Sequence, residues 1–358
     1  MFKLVQQWYT QYFSNQEALI LLLFLLASFA LVLTMGVPLA PVLTAIVLAY
    51  LLQGLVNALM GKGMPRVPAI AVSYTLFLGM LSVFLFILVP LTWGQFLGLL
   101  KEQVPMMINE ANNLLVKLPE QYPDLVSKEW VAEITALTTS AVTGVAETVL
   151  TFSLSNIPNL MGVLVFIVLV PLLVFFFLKD KDIMIGWFTG MLPKDRPFIH
   201  RVTQEMDQQI SNYVRGKAVE ILVVGTATYI GLAVFGVNYS ALLGLLVGLS
   251  VVIPYIGAAV VTVPVALVGY FQFGWGTEYL WVMVVYGIIQ GIDGNILVPL
   301  LFSEAVNLHP VAIITAVLLF GGLWGIWGVF FAIPLATLVK AVISAWPRLD
   351  PPLEEVGE

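Results

Sequence analysis

The sequence predicts an all-α, polytopic membrane protein with about six full transmembrane helices and two re-entrant helical hairpins that form an inverted repeat. Three observations predict this class. The 358 residues are 60% hydrophobic and 10% charged, whereas a soluble domain is about one quarter charged. Residues 221–277 contain no charged side chain. Two long apolar tracts, 239–273 and 308–342, have proline or glycine at their centres, where these residues break helices.

Long apolar tracts follow one another along the whole chain. A transmembrane helix needs about 20 residues, so each tract is long enough for at least one span or a hairpin. Tract 67–100 is long enough to tilt or to protrude from the bilayer, and Pro90 is expected to kink it. The tracts cover residues 18–35, 37–60, 67–100, 148–178, 218–277, 279–303 and 305–342.

The distribution of basic residues predicts the orientation of the spans, because cytoplasmic loops are enriched in lysine and arginine. Lys62 and Arg66 lie in the short loop after the second tract, and seven basic residues lie in 179–217. Segment 101–147 has seven acidic residues against three lysines. We therefore expect 101–147 outside and both termini in the cytoplasm.

These features divide the chain into five regions. The acidic, proline-rich C-terminal segment is predicted to be a disordered tail. The regions are N-terminal scaffold helices (1–100), an amphipathic periplasmic helical segment (101–155), a transmembrane helix with a cytoplasmic amphipathic helix (156–217), a transport domain (218–346) and the tail (347–358).

The cytoplasmic amphipathic helix is predicted from apolar residues that recur every four positions. This spacing places them on one helical face. The helix is expected either on the membrane surface or against a partner helix. The residues are Phe198, Val202, Met206, Ile210 and Val214.

The transport domain contains a repeat of about 70 residues. Val237-Asn238 precedes the first central break and Val306-Asn307 precedes the second, 69 residues later. Pro264 follows the first break and Pro334 follows the second, 70 residues later. The units, 218–273 and 279–342, begin with spans of opposite direction, and inverted repeats with broken helices are typical of secondary transporters. Two full short spans in place of each hairpin remain an alternative.

Candidate binding residues lie at the two breaks and around a single intramembrane acid. An ionisable group at this depth is costly and indicates a functional site, although Asp293 can equally be a structural residue that bonds to a neighbouring helix. Broken helices expose backbone groups that must line a cavity or be buried in protein. The candidate substrate- or ion-binding residues are Gln290, Asp293, Asn295, Pro254, Tyr255, Gly257 and Gly325.

Several chemistries find no support in the sequence. There is no cysteine, and the two histidines, His200 and His309, do not have the spacing of metal ligands. No phosphate-binding loop or nucleophile constellation is present, and no basic patch suits nucleic acid. We therefore expect no catalytic residue, metal or cofactor, and the expected partners are the lipid bilayer and a small solute.

Several runs in the C-terminal half resemble the AI-2 exporter (AI-2E) superfamily of bacterial inner-membrane proteins and, within it, the PerM-type permeases. The runs are 212–217, 253–257, 302–310 and 321–334. The resemblance implies a multi-pass inner-membrane protein, a homo-oligomer, with a pentamer suspected, and an elevator-like transport domain. It also implies a site role for Asn295. It leaves the solute unnamed, since other members resemble sodium/proton antiporters.

The residues and the resemblance together predict a secondary transporter that exports a small polar solute, with H⁺ or Na⁺ as a possible coupling ion. A sodium/proton antiporter is one alternative. A non-transporting membrane scaffold for envelope partners, using 101–155, is the other. Net flux separates both transport readings from the scaffold.

Overall fold

The computed structural model describes residues 16–121, 127, 129–137, 140, 144, 157–192, 196–254, 256–302 and 308–346. The predicted tail 347–358 and Tyr255 lie outside these ranges. The helices are α1 (Gln16–Gly61), α2 (Arg66–Val83), α3 (Val89–Gly98), α4 (Val104–Gln121), α5 (Ile157–Lys179), α6 (Lys181–Gly190), α7 (Pro197–Val234), α8 (Ser240–Ser250), α9 (Ile256–Phe273), α10 (Thr277–Ile292), α11 (Val298–Phe302) and α12 (Pro310–Ala345).

Eight helical segments of the described chain are long and apolar enough to cross a membrane. The predicted all-α, polytopic class is therefore confirmed. Two of the eight are halves of α1, which is kinked at Met35 (φ −119°, ψ 24°) just before two prolines in the helix, Pro38 and Pro41. The eight also include α9 and α12, which belong to the predicted hairpins.

Helices α1, α2 and α5 pack together into one group. Their contact is an apolar cluster with Val56 of α1, Phe77 of α2 and Val174 of α5 at its centre. The Tyr74 hydroxyl of α2 donates a hydrogen bond of 3.1 Å to the Pro171 carbonyl of α5. The cluster joins α1 and α2, which lie in the region 1–100 predicted to be the scaffold, to α5; the scaffold role itself stays a prediction.

Helices α2, α3 and α4 follow one another without a loop. Single π-helical turns, Phe84–Leu88 and Leu99–Gln103, connect them. The first π turn directly precedes Pro90, which has no amide hydrogen to donate to the preceding turn. A π turn absorbs that lost bond within the helix. The helix that begins in tract 67–100, which is predicted to tilt or to protrude from the bilayer, therefore continues to Gln121.

Helix α7 joins the predicted cytoplasmic helix to the first span of the repeat. Its 38 residues run through position 217 without interruption, so the predicted boundary between the two regions falls inside one helix. The apolar face is packed rather than free: Phe198, Val202 and Met206 are buried against Ala18 of α1 and Ala341 of α12. Of the two expected positions, the structure shows packing against partner helices.

Helices α8 and α9 form a hairpin, here called hairpin 1, whose described turn residues are 251–254. A Cβ added at Gly257 in α9 would overlap the carbonyl of Ser250 at the end of α8. The arms share an apolar cluster that contains Leu243, Val247 and Val265. Helix α8 also packs closely on α7, where an added Cβ at Gly248 would lie 2.8 Å from the Ile221 carbonyl.

Helix α12 is also a hairpin, here called hairpin 2. Gly325 interrupts it with φ 62° and ψ −139°, a conformation that only glycine adopts without strain. The chain then turns back, because a Cβ added at Gly328 would overlap the carbonyl of Phe320. Ala316 and Ala332 meet in one apolar cluster across the two arms.

The two hairpins close in the same way. Gly257 meets Ser250 in hairpin 1 and Gly328 meets Phe320 in hairpin 2, so equivalent contacts are 70 to 71 residues apart. This spacing matches the sequence repeat. The position of the hairpin tips within the bilayer stays a prediction.

We expect Gly328→Ala and Gly257→Ala to destabilise the fold, because each new methyl group would displace backbone in the opposing arm. Overpacking of this kind costs about 1–3 kcal/mol. Gly322→Ala is the matched control, since nothing lies within 4 Å of its added Cβ. Thermal unfolding in detergent would measure the difference, and equal melting temperatures for Gly328→Ala and Gly322→Ala would contradict the hairpin packing.

The charge distribution predicts opposite membrane sides for segment 101–147 and the α1–α2 loop. Because the chain has no cysteine, Ser127→Cys and Lys62→Cys each give a single labelling site. An impermeant thiol reagent applied from outside should label position 127 and leave position 62 unlabelled. Labelling of both from one side would overturn the orientation.

Candidate functional site

A cavity of about 240 Å³ lies between α7, the tip of hairpin 1, the α10–α11 region and hairpin 2. Its apolar lining comes from both hairpins. Its polar lining combines one ammonium, two carboxylates, one amide and one phenol. The polar residues are Tyr213, Lys217, Glu220, Gln290 and Asp293.

Lys217 and Glu220 form an ion pair inside the protein. The Lys217 Nζ donates to Glu220 Oε2 over 2.7 Å, and the two side chains are 6% and 2% exposed. Glu220 follows Lys217 by three positions in the helix, which places both side chains on one face of α7. The Lys217 ammonium also donates to the Val251 carbonyl over 2.8 Å. It lies 5.1 Å from the centre of the Phe302 ring, within the range of a cation–π contact.

Asp293 supplies the second carboxylate of the cavity. It is 8% exposed and begins a π-helical turn, Asp293–Leu297, between α10 and α11. Its Oδ1 atom has no hydrogen-bond partner among the described residues. The carboxylate is close enough to Lys217 to be attracted by its charge, and close enough to Glu220 to repel it. Asp293 therefore lines the cavity and has one buried carboxylate oxygen without a donor among the described residues.

A chain of polar side chains leads from hairpin 1 to the cavity. The Thr262 and Tyr286 hydroxyls share a hydrogen bond of 3.0 Å, and the Gln290 amide donates to the Tyr286 hydroxyl over 3.2 Å. Tyr286, Gln290 and Asp293 are spaced four and three residues apart, so they lie along one face of the helix. The chain fixes the Gln290 amide at the cavity wall.

The candidate residues predicted from sequence separate into two groups. Pro254, Gln290 and Asp293 line the cavity. Asn295, Gly257 and Gly325 do not line it, and Tyr255 lies outside the described residues. The Asn295 amide is exposed and donates to the Gly291 carbonyl over 2.8 Å, whereas Gly257 and Gly325 shape the two hairpin turns.

Sequence reasoning missed Lys217, Glu220 and Tyr213. Lys217 and Glu220 stand at the edge of the uncharged run, where a charged pair is expected in water at the end of a span. One sequence signal could have identified the pair Lys217 and Glu220. They are three residues apart, and the apolar residues on both sides of them recur with helical spacing, so the two charges share one helical face. Tyr213 is buried and donates to the Phe330 carbonyl of hairpin 2 over 3.0 Å.

This arrangement suits a small polar or cationic ligand. The two carboxylates outnumber the single ammonium, and Asp293 Oδ1 has no hydrogen-bond donor among the described residues. The Gln290 amide adds a neutral polar group. No group of three or more His, Cys, Asp or Glu side chains that could hold a metal ion occurs among the described residues.

The fold and the cavity define a multi-pass helical membrane protein of the transporter class, with a polar site between broken helices. The chain belongs to the AI-2E family of transporters: the family profile, described as "AI-2E family transporter", matches residues 19–348.

Three relatives illustrate the range of similarity. The candidate permease PerM of Escherichia coli (strain K12) is 48% identical over 97% of this chain and 98% of its own length. The candidate transport protein YrrI of Bacillus subtilis (strain 168) is 30% identical over 86% of both chains. The AI-2 transport protein TqsA of Escherichia coli (strain K12) is 24% identical over 85% of both chains.

We expect Lys217→Met to destabilise the protein strongly, because it leaves Glu220 buried without a partner. Breaking a buried pair costs about 3–5 kcal/mol, whereas removing both charges together is often close to neutral. The double variant Lys217→Met/Glu220→Gln should therefore recover most of the loss. The free energy of unfolding of the single variants and the double variant would be measured in a denaturing detergent, with the loss of helicity as the readout.

The control is the exposed ion pair between Arg66 and Asp182, whose side chains are 40% and 68% exposed. Arg66→Met should cost less than about 1 kcal/mol, as is typical of surface pairs. An equal loss from Lys217→Met and Arg66→Met would show that the burial of Lys217 and Glu220 is energetically unimportant.

Proposed function

We propose that the protein is a secondary transporter of the bacterial inner membrane that exports a small polar solute through the cavity between the hairpins. The single observation that carries this proposal is the buried Asp293 oxygen without a donor at the wall of a 240 Å³ cavity. A buried acceptor of this kind is costly unless a ligand or ion satisfies it.

The size and polarity of the cavity limit the solute. A cavity of about 240 Å³ is smaller than the roughly 300–1,000 Å³ of pockets that hold drug-sized ligands, so we expect a small solute. Hydrogen-bond donors on the solute would reach Asp293, while its acceptors would reach Gln290. A hydroxylated or amine-bearing solute fits better than one with two negative charges, because the carboxylates repel anions.

Ion exchange is the second candidate function, and the pairing of charges in the cavity favours it specifically. Lys217 neutralises one carboxylate, so the other can bind H⁺ or Na⁺. If an ion and the solute bind at Asp293 only together, solute movement is coupled to the gradient of that ion. Solute export and ion antiport thus use the same carboxylate and differ in what accompanies the ion.

The mechanism we propose is elevator-like alternating access, with α1, α2 and α5 as the fixed scaffold and α7 to α12 as the moving domain. Two observations support the division: α1, α2 and α5 share one apolar cluster, and both hairpins contribute to other clusters. A further cluster joins α1 to α7 and α12, and we propose that this contact is the surface along which the moving domain slides. We further propose a homo-oligomer, a pentamer in the family's pattern, with both termini cytoplasmic.

The test is flux in proteoliposomes. Comparison of metabolites exported by a deletion strain and by its overexpressor would first nominate the solute, and purified protein would then be tested for its movement. Net solute flux establishes export; sodium or proton flux without any organic solute establishes antiport. Absence of all flux from folded, reconstituted protein would favour the membrane scaffold.

Asp293→Asn should leave folding and oligomeric state intact, since the amide is nearly isosteric, and reduce flux at least tenfold. Glu278→Gln is the matched control, because Glu278 begins the same helix but is exposed. Initial flux rates and their dependence on the ion gradient would be measured for both. Unchanged flux and unchanged ion dependence in Asp293→Asn would show that the acid is structural.

A further inference from the structure

The Lys217 ammonium lies where a bound cation would lie. Two oxygens contact it, Glu220 Oε2 at 2.7 Å and the Val251 carbonyl at 2.8 Å, and the Phe302 ring faces it at 5.1 Å. Val251 is the C-terminal cap of α8. In transporters with broken helices, the carbonyls at the C-terminal ends of half-helices bind sodium ions.

We propose that the Lys217 side chain is the permanent occupant of a monovalent-cation site formed by Glu220, the Val251 carbonyl and the Phe302 ring. The site joins α7 to the tip of hairpin 1, so the lysine holds this tip in place without a free sodium or potassium ion. One consequence rests on the proposed function: a coupling ion can bind at Asp293, but it cannot bind beside Glu220, because Lys217 occupies that position.

The chemistry of the hairpin tip explains why a positive charge is required there. The last carbonyls of a helix have no partner within the helix and carry partial negative charge. Within an apolar region such a carbonyl needs a donor or a cation. Glu220 is buried and needs one as well. An ammonium satisfies both groups simultaneously, and so would a small cation, whereas a neutral side chain leaves the carboxylate unpaired.

The shape of the site allows the replacement to be tested. Lys217→Ala removes the amine and its alkyl chain but leaves the carboxylate, the carbonyl and the ring. The truncated side chain frees space beside an existing cavity, in which a hydrated or partly dehydrated cation can approach Glu220. The variant is therefore expected to acquire a monovalent-cation site at Glu220, which Lys217 otherwise occupies.

The experiment is thermal unfolding of the full chain in detergent, followed by tryptophan fluorescence, at constant ionic strength with choline replaced by Li⁺, Na⁺ or K⁺. Each variant is made in an Asp293→Asn background, which removes the carboxylate proposed for the coupling ion, and this background alone should melt at the same temperature in each salt. Lys217→Ala should melt lower in choline and rise saturably, by about 5 °C, with at least one of the three cations.

Two control variants define the site. Lys217→Ala/Glu220→Gln lacks the carboxylate and should show no cation-specific rise. Lys62→Ala removes an exposed lysine of the α1–α2 loop and should behave like the Asp293→Asn background. A saturable cation response in that background alone, or the absence of a response to all three cations once Lys217→Ala is added to it, would overturn the proposal.

If Lys217→Ala melts too low to be purified in choline, extraction from membranes gives the same decision. Folded, monodisperse protein should be recovered in sodium or potassium buffer and not in choline buffer. Equal loss in every salt would overturn the proposal. Because neither assay uses a transported solute, these results are independent of the flux experiments that test the proposed function.

Discussion

The buried ion pair of Lys217 and Glu220 is the interaction on which the polar site depends. No lysine or arginine lies between Lys217 and Lys340, so Lys217 is the one ammonium that this stretch brings to the carboxylates of the cavity. It also binds the end of α8 through the Val251 carbonyl. The ion pair therefore fixes the charge of the cavity and the position of one of its walls at once.

The second constraint is the need to satisfy backbone groups where the helices break. In hairpin 1 the carbonyl at the end of α8 is bonded by Lys217. In hairpin 2 the Phe330 carbonyl, four residues before Pro334, which has no amide hydrogen, is bonded by the Tyr213 hydroxyl. Both donors belong to α7. One helix thus provides polar partners to both hairpins, and the polar cavity lies along it.

The sequence predicts the membrane class and the two breaks because both depend on local composition: uncharged runs, and proline or glycine within them. It also leads to Asp293, since an isolated acid in an apolar span is visible without any tertiary information. Asn295 illustrates the limit. It stands two residues from Asp293, and residues at that spacing do not share a helical face. The grouping of Lys217 with Asp293 depends on how distant helices pack, which a local pattern does not contain.

The spacing of Lys217 and Glu220 has a consequence for biogenesis. Both charges lie on α7, three residues apart, so they can pair as soon as this helix forms and before any other helix is present. A lone lysine or aspartate at the centre of a span costs about 2.5–3.5 kcal/mol during insertion by the translocon. The paired charges lower this cost for α7, whereas Asp293 enters the membrane alone and gains its neighbours only when the helices assemble.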